Sequence, residues 1–466
     1  MHRFGETIRE GQFMKLNFKV RLDNLKGFPL NLTPPQVLVL GFALVILAGA
    51  LLLMLPVSSR SGEATDFLTA LFTATSAVCV TGLVVVDTGT YWSTFGQAVI
   101  LGLIQIGGLG FMSMATFFFI LMGRRIGLKE RLIIQESLNQ LRVAGVVRLV
   151  RAVLLFTFLT EGFFALVLSL RFYFDYGFPR CLWMGLFHAV SAFNNAGFDI
   201  IGGFRSLAGY VSDPVVTISI TTLIILGGLG FATVIELFNY PRTRRLSLHT
   251  RLVLRVTAAL IIGGTLVFGL LEWGHILRDL PLSGKILASY FQAVTPRTAG
   301  FNSVDIGHLN AATQFFIIIL MFIGASPGST GGGIKTTTFA LLGITLWSLG
   351  RGKEDVELFR RRIPPWQVYK ALSVALWSIF LVITVTLVLC ITEGGNFLAV
   401  LFETVSAFGT VGLSMGITPD LSSAGRVAII LTMFAGRLGP LTLAYAFAQR
   451  RRRTGIRYPE EKIMVG

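Results

Sequence analysis

Apolar residues run along this chain in long blocks broken by short polar loops, and only helices and closed barrels can carry such blocks through a bilayer. A hydrocarbon core of about 30 Å needs about 20 apolar residues in a helix. Eight blocks reach that length, at 36–55, 94–122, 152–170, 215–238, 252–271, 312–349, 367–391 and 426–448. Between the members of each successive pair lies an apolar piece of about 12 residues, too short to cross. The pattern predicts an all-α polytopic membrane protein made of four tandem M1-P-M2 units. That means eight transmembrane helices and four re-entrant half-helices, with pseudo-four-fold symmetry around one pore. The units fall at 34–123, 124–240, 241–350 and 351–449, between an N-terminal arm (1–33) and a C-terminal tail (450–466).

Composition narrows the class. The chain is 53% hydrophobic and 14% charged, with a mean hydropathy of +0.72, which excludes a soluble globular protein. The net charge of +16 does not point to nucleic acid, because the basic residues sit in short loops between apolar runs instead of on one soluble face. Lys and Arg number 6 in the arm to Lys26, 7 in 124–151, 5 in 242–255, 6 in 351–370 and 6 from Arg450 onward, or 30 of 40. These segments share a side if every long block crosses and every short piece turns back. The positive-inside rule then puts both termini in the cytoplasm and the protein in the cell (inner) membrane. The arm lacks the apolar core of a secretory signal. Cys79, Cys181 and Cys390 have no metal-ligand spacing, and five scattered histidines form no catalytic set.

The four short pieces repeat one another. Phe72 to Ser76 leads to Val80-Thr81-Gly82, Phe187 to Ser191 to Asn195-Ala196-Gly197, Phe291 to Thr295 to Thr298-Ala299-Gly300, and Phe402 to Ser406 to Thr410-Val411-Gly412. The glycine follows the phenylalanine by ten residues in three copies and by nine in the third, where Pro296 marks the gap. A half-helix entering the membrane aims the negative end of its dipole at the centre, which favours a cation. The glycine-containing return can face its carbonyls to an axis and replace an ion's hydration shell. The competing account, helix-packing glycines, does not explain a glycine ten residues on in three pieces and nine in the other. These twelve residues are the expected selectivity filter, with a cation at their carbonyls.

The sixth block is interrupted by Gly324-Ala-Ser-Pro-Gly-Ser-Thr-Gly-Gly-Gly-Ile-Lys335. Pro327 and five glycines break a helix there. Gly324, Gly328, Gly331, Gly332, Gly333 and Lys335 are read as a movable barrier beneath the filter, a static kink being the alternative. A phosphate loop is a poor match, because Ile334 separates glycine from lysine. Arg437 lies midway along the last block, where an unpaired charge is costly. It is expected to face water or a carboxylate, either as a pore charge of the gate or in a buried pair. Glu161, mid-block in the third run, is expected to partner a basic group. Ile106-Gly-Gly-Leu-Gly-Phe111 and Leu226-Gly-Gly-Leu-Gly-Phe231 fit close helix packing better than dinucleotide binding. Asp87, Asp199 and Asp305 follow three of the filter pieces, where they either concentrate cations or are ordinary solvated loop charges.

With Thr81-Gly82, Asn194-Asn195-Ala196-Gly197-Phe198, Arg297-Thr298-Ala299-Gly300-Phe301 and Thr410-Val411-Gly412-Leu413, the chain resembles the Trk/Ktr/HKT superfamily of potassium transporters over nearly its whole length. It looks most like the bacterial KtrB type, having eight spans and the tail Tyr458-Pro459-Glu460-Glu461-Lys462. The second glycine and tyrosine of the full potassium-channel signature are absent. The resemblance implies potassium translocation, since Gly82 stands where a serine goes with sodium preference, and leaves sodium as a second ion. It implies a gate at the broken block, a homodimer with one pore per subunit, a cytoplasmic nucleotide-binding (RCK-type, KtrA-like) ring as partner, and no covalent cofactor. Two other readings are an alternating-access symporter, which would call for inverted repeats, and an intramembrane enzyme using Ser326 or Ser329.

Overall fold

The structure, a computed structural model, describes residues 20–21, 31–121, 127–137, 145–353, 355–447, 459 and 461. Most of the arm, part of the basic 124–151 loop and residues 458, 460 and 462 of the tail motif lie outside the described residues.

Four helices are long and apolar enough to cross a bilayer unbroken: Pro34–Leu53, Val146–Tyr176, Leu248–Glu272 and Pro365–Glu393. The first starts where Pro34 and Pro35 suit the opening turn and Gln36 Oε1 accepts the Thr33 N–H at 2.9 Å. Their outward faces carry large apolar side chains, among them Leu159 at 64% and Leu170 at 72% exposed. Such a stripe is unstable in water and natural against lipid.

A half-helix follows each long helix: Phe67–Val78, Arg180–Phe193, Leu282–Val294 and Phe397–Gly409. At 1.5 Å per residue, each spans roughly 20 Å, short of the membrane's width. Two starts are capped by side chains: Asp66 Oδ2 accepts the N–H groups of Leu68 and Thr69 at 3.0 and 3.2 Å, and Asn396 Oδ1 accepts that of Leu398 at 2.9 Å. The repeated phenylalanines Phe72, Phe187, Phe291 and Phe402 are buried. They anchor the half-helices in the core, which accounts for that part of the repeat.

The sixth block is broken as expected, but the second, fourth and eighth, read as continuous, are broken too. Over the four remaining blocks the described chain forms pairs of shorter helices: Thr94–Leu109 with Phe111–Leu121, Pro214–Gly228 with Phe231–Thr243, Ala311–Phe322 with Thr336–Gly350, and Ser423–Leu438 with Pro440–Phe447. The second pair bends by 101°. Three of the breaks fall on Gly110, Gly230 and Gly439, at φ of 79°, 88° and 82°, a left-handed conformation that ends a helix and suits glycine. The other is the glycine-rich loop. Hydropathy counts apolar residues and cannot register one reversed φ.

The glycines just before these breaks bear the packing role expected of the Gly-Gly-Leu-Gly motifs. A Cβ on Gly107 would sit 1.9 Å from Val78 O, one on Gly227 1.9 Å from Phe193 O, and one on Gly436 2.0 Å from Phe408 O. Each contacted carbonyl lies six residues after the phenylalanine of its half-helix.

Candidate functional site

The four re-entrant pieces turn with one backbone pattern. Val80, Asn195, Thr298 and Thr410 have φ of 50°, 56°, 73° and 50°, and two residues later Gly82, Gly197, Gly300 and Gly412 have φ of 94°, 70°, 81° and 93°. Left-handed Val and Thr are rare and strained, so the surroundings hold them there. Part of that hold is one repeated hydrogen bond. The N–H before each glycine reaches back to the half-helix: Thr81 to Ser76 O (2.8 Å), Ala196 to Ser191 O (2.8 Å), Ala299 to Thr295 O (3.0 Å) and Val411 to Ser406 O (2.9 Å). The span is five residues in three pieces and four in the third, so the residue missing beside Pro296 is absorbed in this turn.

Hydroxyls of the same half-helix residues secure the turn further. Ser76 Oγ and Ser406 Oγ each accept a glycine N–H at 3.1 Å, from Gly82 and Gly412. Ser191 Oγ donates to Phe198 O at 2.7 Å, and Thr295 Oγ1 donates to Phe301 O.

The four glycines sit edge to edge in a closed ring in chain order. A Cβ on Gly82 would lie 2.5 Å from Ala196 O, on Gly197 2.7 Å from Ala299 O, on Gly300 2.3 Å from Val411 O, and on Gly412 2.2 Å from Thr81 O. Any side chain at these positions would strike the neighbouring piece. Sequence separations of 103 to 115 residues, and of 330 where the ring closes, thus collapse to van der Waals contact.

A cavity of about 280 Å³ opens on one side of the ring, lined by the glycines together with Asp87, Asp199, Asn302, Ser414 and Thr418. Asp199, half-buried in the loop after the second piece, has its carboxyl pushed up to about 6. Burial is the main cause and the nearby Asp87 charge adds to it, against the N–H of Ile201. Asp87 accepts the N–H groups of Thr90 (3.1 Å) and Gly203 (3.0 Å). Asp305 lies elsewhere, capping a short turn through Gly307 N at 2.9 Å.

The glycine-rich loop lies against the other side. Gly332 N donates to Thr410 Oγ1 at 3.1 Å, and a Cβ on Gly331 would be 2.0 Å from Thr298 Oγ1. Gly324 N donates to Ile334 O at 2.8 Å, closing the base of the loop, and Gly328 O accepts the N–H of Phe231 at 2.9 Å. Gly333 takes a φ of 65°. Lys335 Nζ donates to Gly331 O (2.8 Å) and Gly332 O (3.3 Å). A second cavity of about 290 Å³, lined in part by Gly331, Gly333, Lys335, Lys370 and Arg437, lies below.

Arg437 borders the second cavity and has no carboxylate partner among the described residues. Its guanidinium donates to Thr330 O in the loop and to Gly107 O and Gly108 O at the end of the Thr94–Leu109 helix. A planar fork of donors suits two carbonyl sets at once. The expectation for Glu161 is not met: its carboxylate accepts from Gln105 Nε2 (3.2 Å) and Asn194 Nδ2 (3.0 Å), with no basic partner among the described residues. Sequence reading missed Thr330, whose N–H and hydroxyl bond Gly227 O and Phe193 O at 3.2 and 3.3 Å. A signal for Arg437 does exist: Gly436-Arg437-Leu438-Gly439 aligns with Gly107-Gly108-Leu109-Gly110 and Gly227-Gly228-Leu229-Gly230, putting arginine where the first two units have a second glycine.

Ser326 Oγ meets Thr336 Oγ1 at 2.9 Å and Ser329 Oγ donates to Ser326 O at 2.6 Å. No histidine or carboxylate activates either serine among the described residues.

The long apolar helices and the ring of backbone turns mark a multi-pass membrane protein, and its class is that of the cation transporters. The family model described as TrkH, cation transport protein, matches residues 32–452, and the chain belongs to that family. It is 48% identical over 436 residues, 93% of this chain and 97% of the relative, to Ktr system potassium uptake protein B of Bacillus subtilis. It is 40% identical to potassium/sodium uptake protein NtpJ of Enterococcus hirae, covering 94% of this chain and 98% of that protein. The crystal structure of the potassium transporter TrkH from Vibrio parahaemolyticus shares the fold, with a TM-score of 0.70 over 89% of this chain and 84% of that one at 18% identity.

Proposed function

We propose that the chain is the ion-translocating pore subunit of a Ktr-type system, taking up potassium across the cell membrane. The single observation that carries this reading is the closed ring of Gly82, Gly197, Gly300 and Gly412, each packed on the carbonyl that precedes the next glycine. In this reading four M1-P-M2 units surround one axis with pseudo-four-fold symmetry. The carbonyls of residues 80–82, 195–197, 298–300 and 410–412 stand in for hydrating water around a potassium ion, or a sodium ion less favourably.

The loop 324–335 acts as the gate, held shut by the Gly332–Thr410 bond and by Arg437. Its cations also raise an electrostatic barrier below the filter, which a moving loop would lift. The basic segments lie in the cytoplasm with both termini. They offer a docking face to a nucleotide-binding ring of the RCK type, and the membrane subunit works as a homodimer. Names of relatives support the ion and the system, since two of them are potassium or potassium/sodium uptake proteins.

The test is growth of a potassium-uptake-deficient strain at low external potassium, with the chain expressed alone and with a nucleotide-binding partner. Growth with the partner, and weaker growth without it, is the expected result. Absence of growth and of rubidium uptake in both, with the chain present in the membrane, would overturn the reading.

A further inference from the structure

Glu403 lies in the fourth half-helix, one residue after the repeated phenylalanine, and is fully buried. The equivalent positions carry Thr73, His188 and Gln292, so the carboxylate breaks the likeness of the four units. No Lys or Arg pairs with it among the described residues. Its oxygens instead take two hydroxyl protons: Glu403 Oε2 accepts from Ser414 Oγ at 2.7 Å and Oε1 from Thr418 Oγ1 at 2.5 Å. Ser414 and Thr418 line the cavity above the glycine ring, whereas Glu403 does not reach it.

A hydroxyl has one proton and two lone pairs. With both protons drawn back onto Glu403, Thr418 Oγ1 and Ser414 Oγ can turn only lone pairs toward the cavity. Ser414 Oγ also accepts the Gly416 N–H at 3.0 Å, which occupies one lone pair and leaves the other for the cavity. The 3.0 Å approach of Thr418 Oγ1 to Ser414 Oγ cannot use the proton already held by the carboxylate at shorter range. Where these two hydroxyls face the cavity, the wall offers only acceptors, which favour a cation over an anion. Asn302 and Asp199 border the same cavity.

We propose that Glu403 is a positioning residue that locks the Ser414 and Thr418 hydroxyls as acceptors. The outer mouth thereby becomes a docking site for a partly dehydrated alkali cation before it enters the glycine ring. This rests on the pore reading given above. Amide replacement exposes the mechanism: Glu403→Gln keeps the shape but offers one oxygen and one NH₂. One hydroxyl must then accept, and its proton is released toward the cavity, where it repels the ion.

The experiment is rubidium uptake against external concentration in cells, for the wild type, Glu403→Gln, Ser414→Ala, Thr418→Val and the double variant Glu403→Gln/Ser414→Ala. Membrane abundance and thermal stability in detergent are measured alongside. The expected result is a roughly three- to tenfold rise in half-saturating concentration for each single variant, the span of one hydrogen bond. Maximal rate and stability stay near wild type, and the double variant shows less than the product of the single effects. Unchanged half-saturation in Thr418→Val and Ser414→Ala would overturn the proposal. So would losses in Glu403→Gln confined to maximal rate and stability, which mark a packing role. A wild type without rubidium uptake would count against the pore reading instead, which keeps the two failures apart.

Discussion

Gly332 N–H donates to Thr410 Oγ1 at 3.1 Å, tying the loop that interrupts the third unit to the foot of the re-entrant turn in the fourth. The hydroxyl belongs to a residue already in a left-handed conformation at φ 50°, so the loop and the glycine ring share a strained backbone position. Removing the hydroxyl while keeping its shape, as in Thr410→Val, should loosen the loop. Rubidium uptake at matched expression is expected to rise by about two- to tenfold, the effect of one net hydrogen bond. A fall in uptake with normal abundance would mean that the bond holds the turn open instead of the loop shut.

Arg437 makes the second attachment, to Thr330 O on the loop and to Gly107 O and Gly108 O on the first unit. Arg437→Ala should raise flux more than Thr410→Val does, because charge-assisted bonds are stronger, about 1.5–3 kcal/mol. Arg437→Lys should fall between the two, since one ammonium cannot reproduce the fork. Initial rates of rubidium uptake in the three variants test this ordering.

Gly82→Ser puts a Cβ 2.5 Å from Ala196 O on a backbone at φ 94°. Strain of about 1–3 kcal/mol should cut potassium uptake by about tenfold and lower the ratio of potassium to sodium uptake, because the ring must open. Paired rubidium and sodium-22 fluxes measure both. An unchanged ratio would argue against selection at the ring.

Asp199 supplies a pH dependence. Its carboxyl, pushed up mainly by burial to about 6, is charged above that value, so cation entry should weaken as external pH falls through 6. Asp199→Asn should flatten this limb. The stability effect has the opposite sign. A carboxyl whose folded pKa exceeds its unfolded value favours folding when protonated, so its contribution diminishes as pH rises from about 4 to about 6. Asp199→Asn should therefore melt slightly higher than wild type at pH 7.5, measured in detergent.

Glu161 accepts from the side-chain amides of Gln105 and Asn194, and Asn194 Nδ2 also donates to Gln105 Oε1 at 2.8 Å. Glu161→Leu leaves the Gln105 Nε2 donor without its acceptor, at a cost of about 1–3 kcal/mol, while Asn194 Nδ2 keeps Gln105 Oε1 and Val190 O. A lower melting temperature in detergent is expected, with Glu161→Gln closer to wild type.

The apolar runs, the spacing of four phenylalanines and four glycines, and the distribution of Lys and Arg were all legible in the chain, because each is a local property of residue type and offset. Those features were enough to indicate a helical membrane protein, the half-helices and the twelve residues at the turns. What sequence could not supply was the partner of any polar group. Arg437 meets carbonyls, Glu161 meets amides, and Glu403 meets two hydroxyls, each through contacts set by how the units pack. Nor could hydropathy register the breaks at Gly110, Gly230 and Gly439, because one reversed φ leaves the apolar count unchanged. The ring itself belongs to the tertiary structure. Glycine permits the close approach, but only the packing of four half-helices brings Gly82 next to Gly412 across 330 residues of chain.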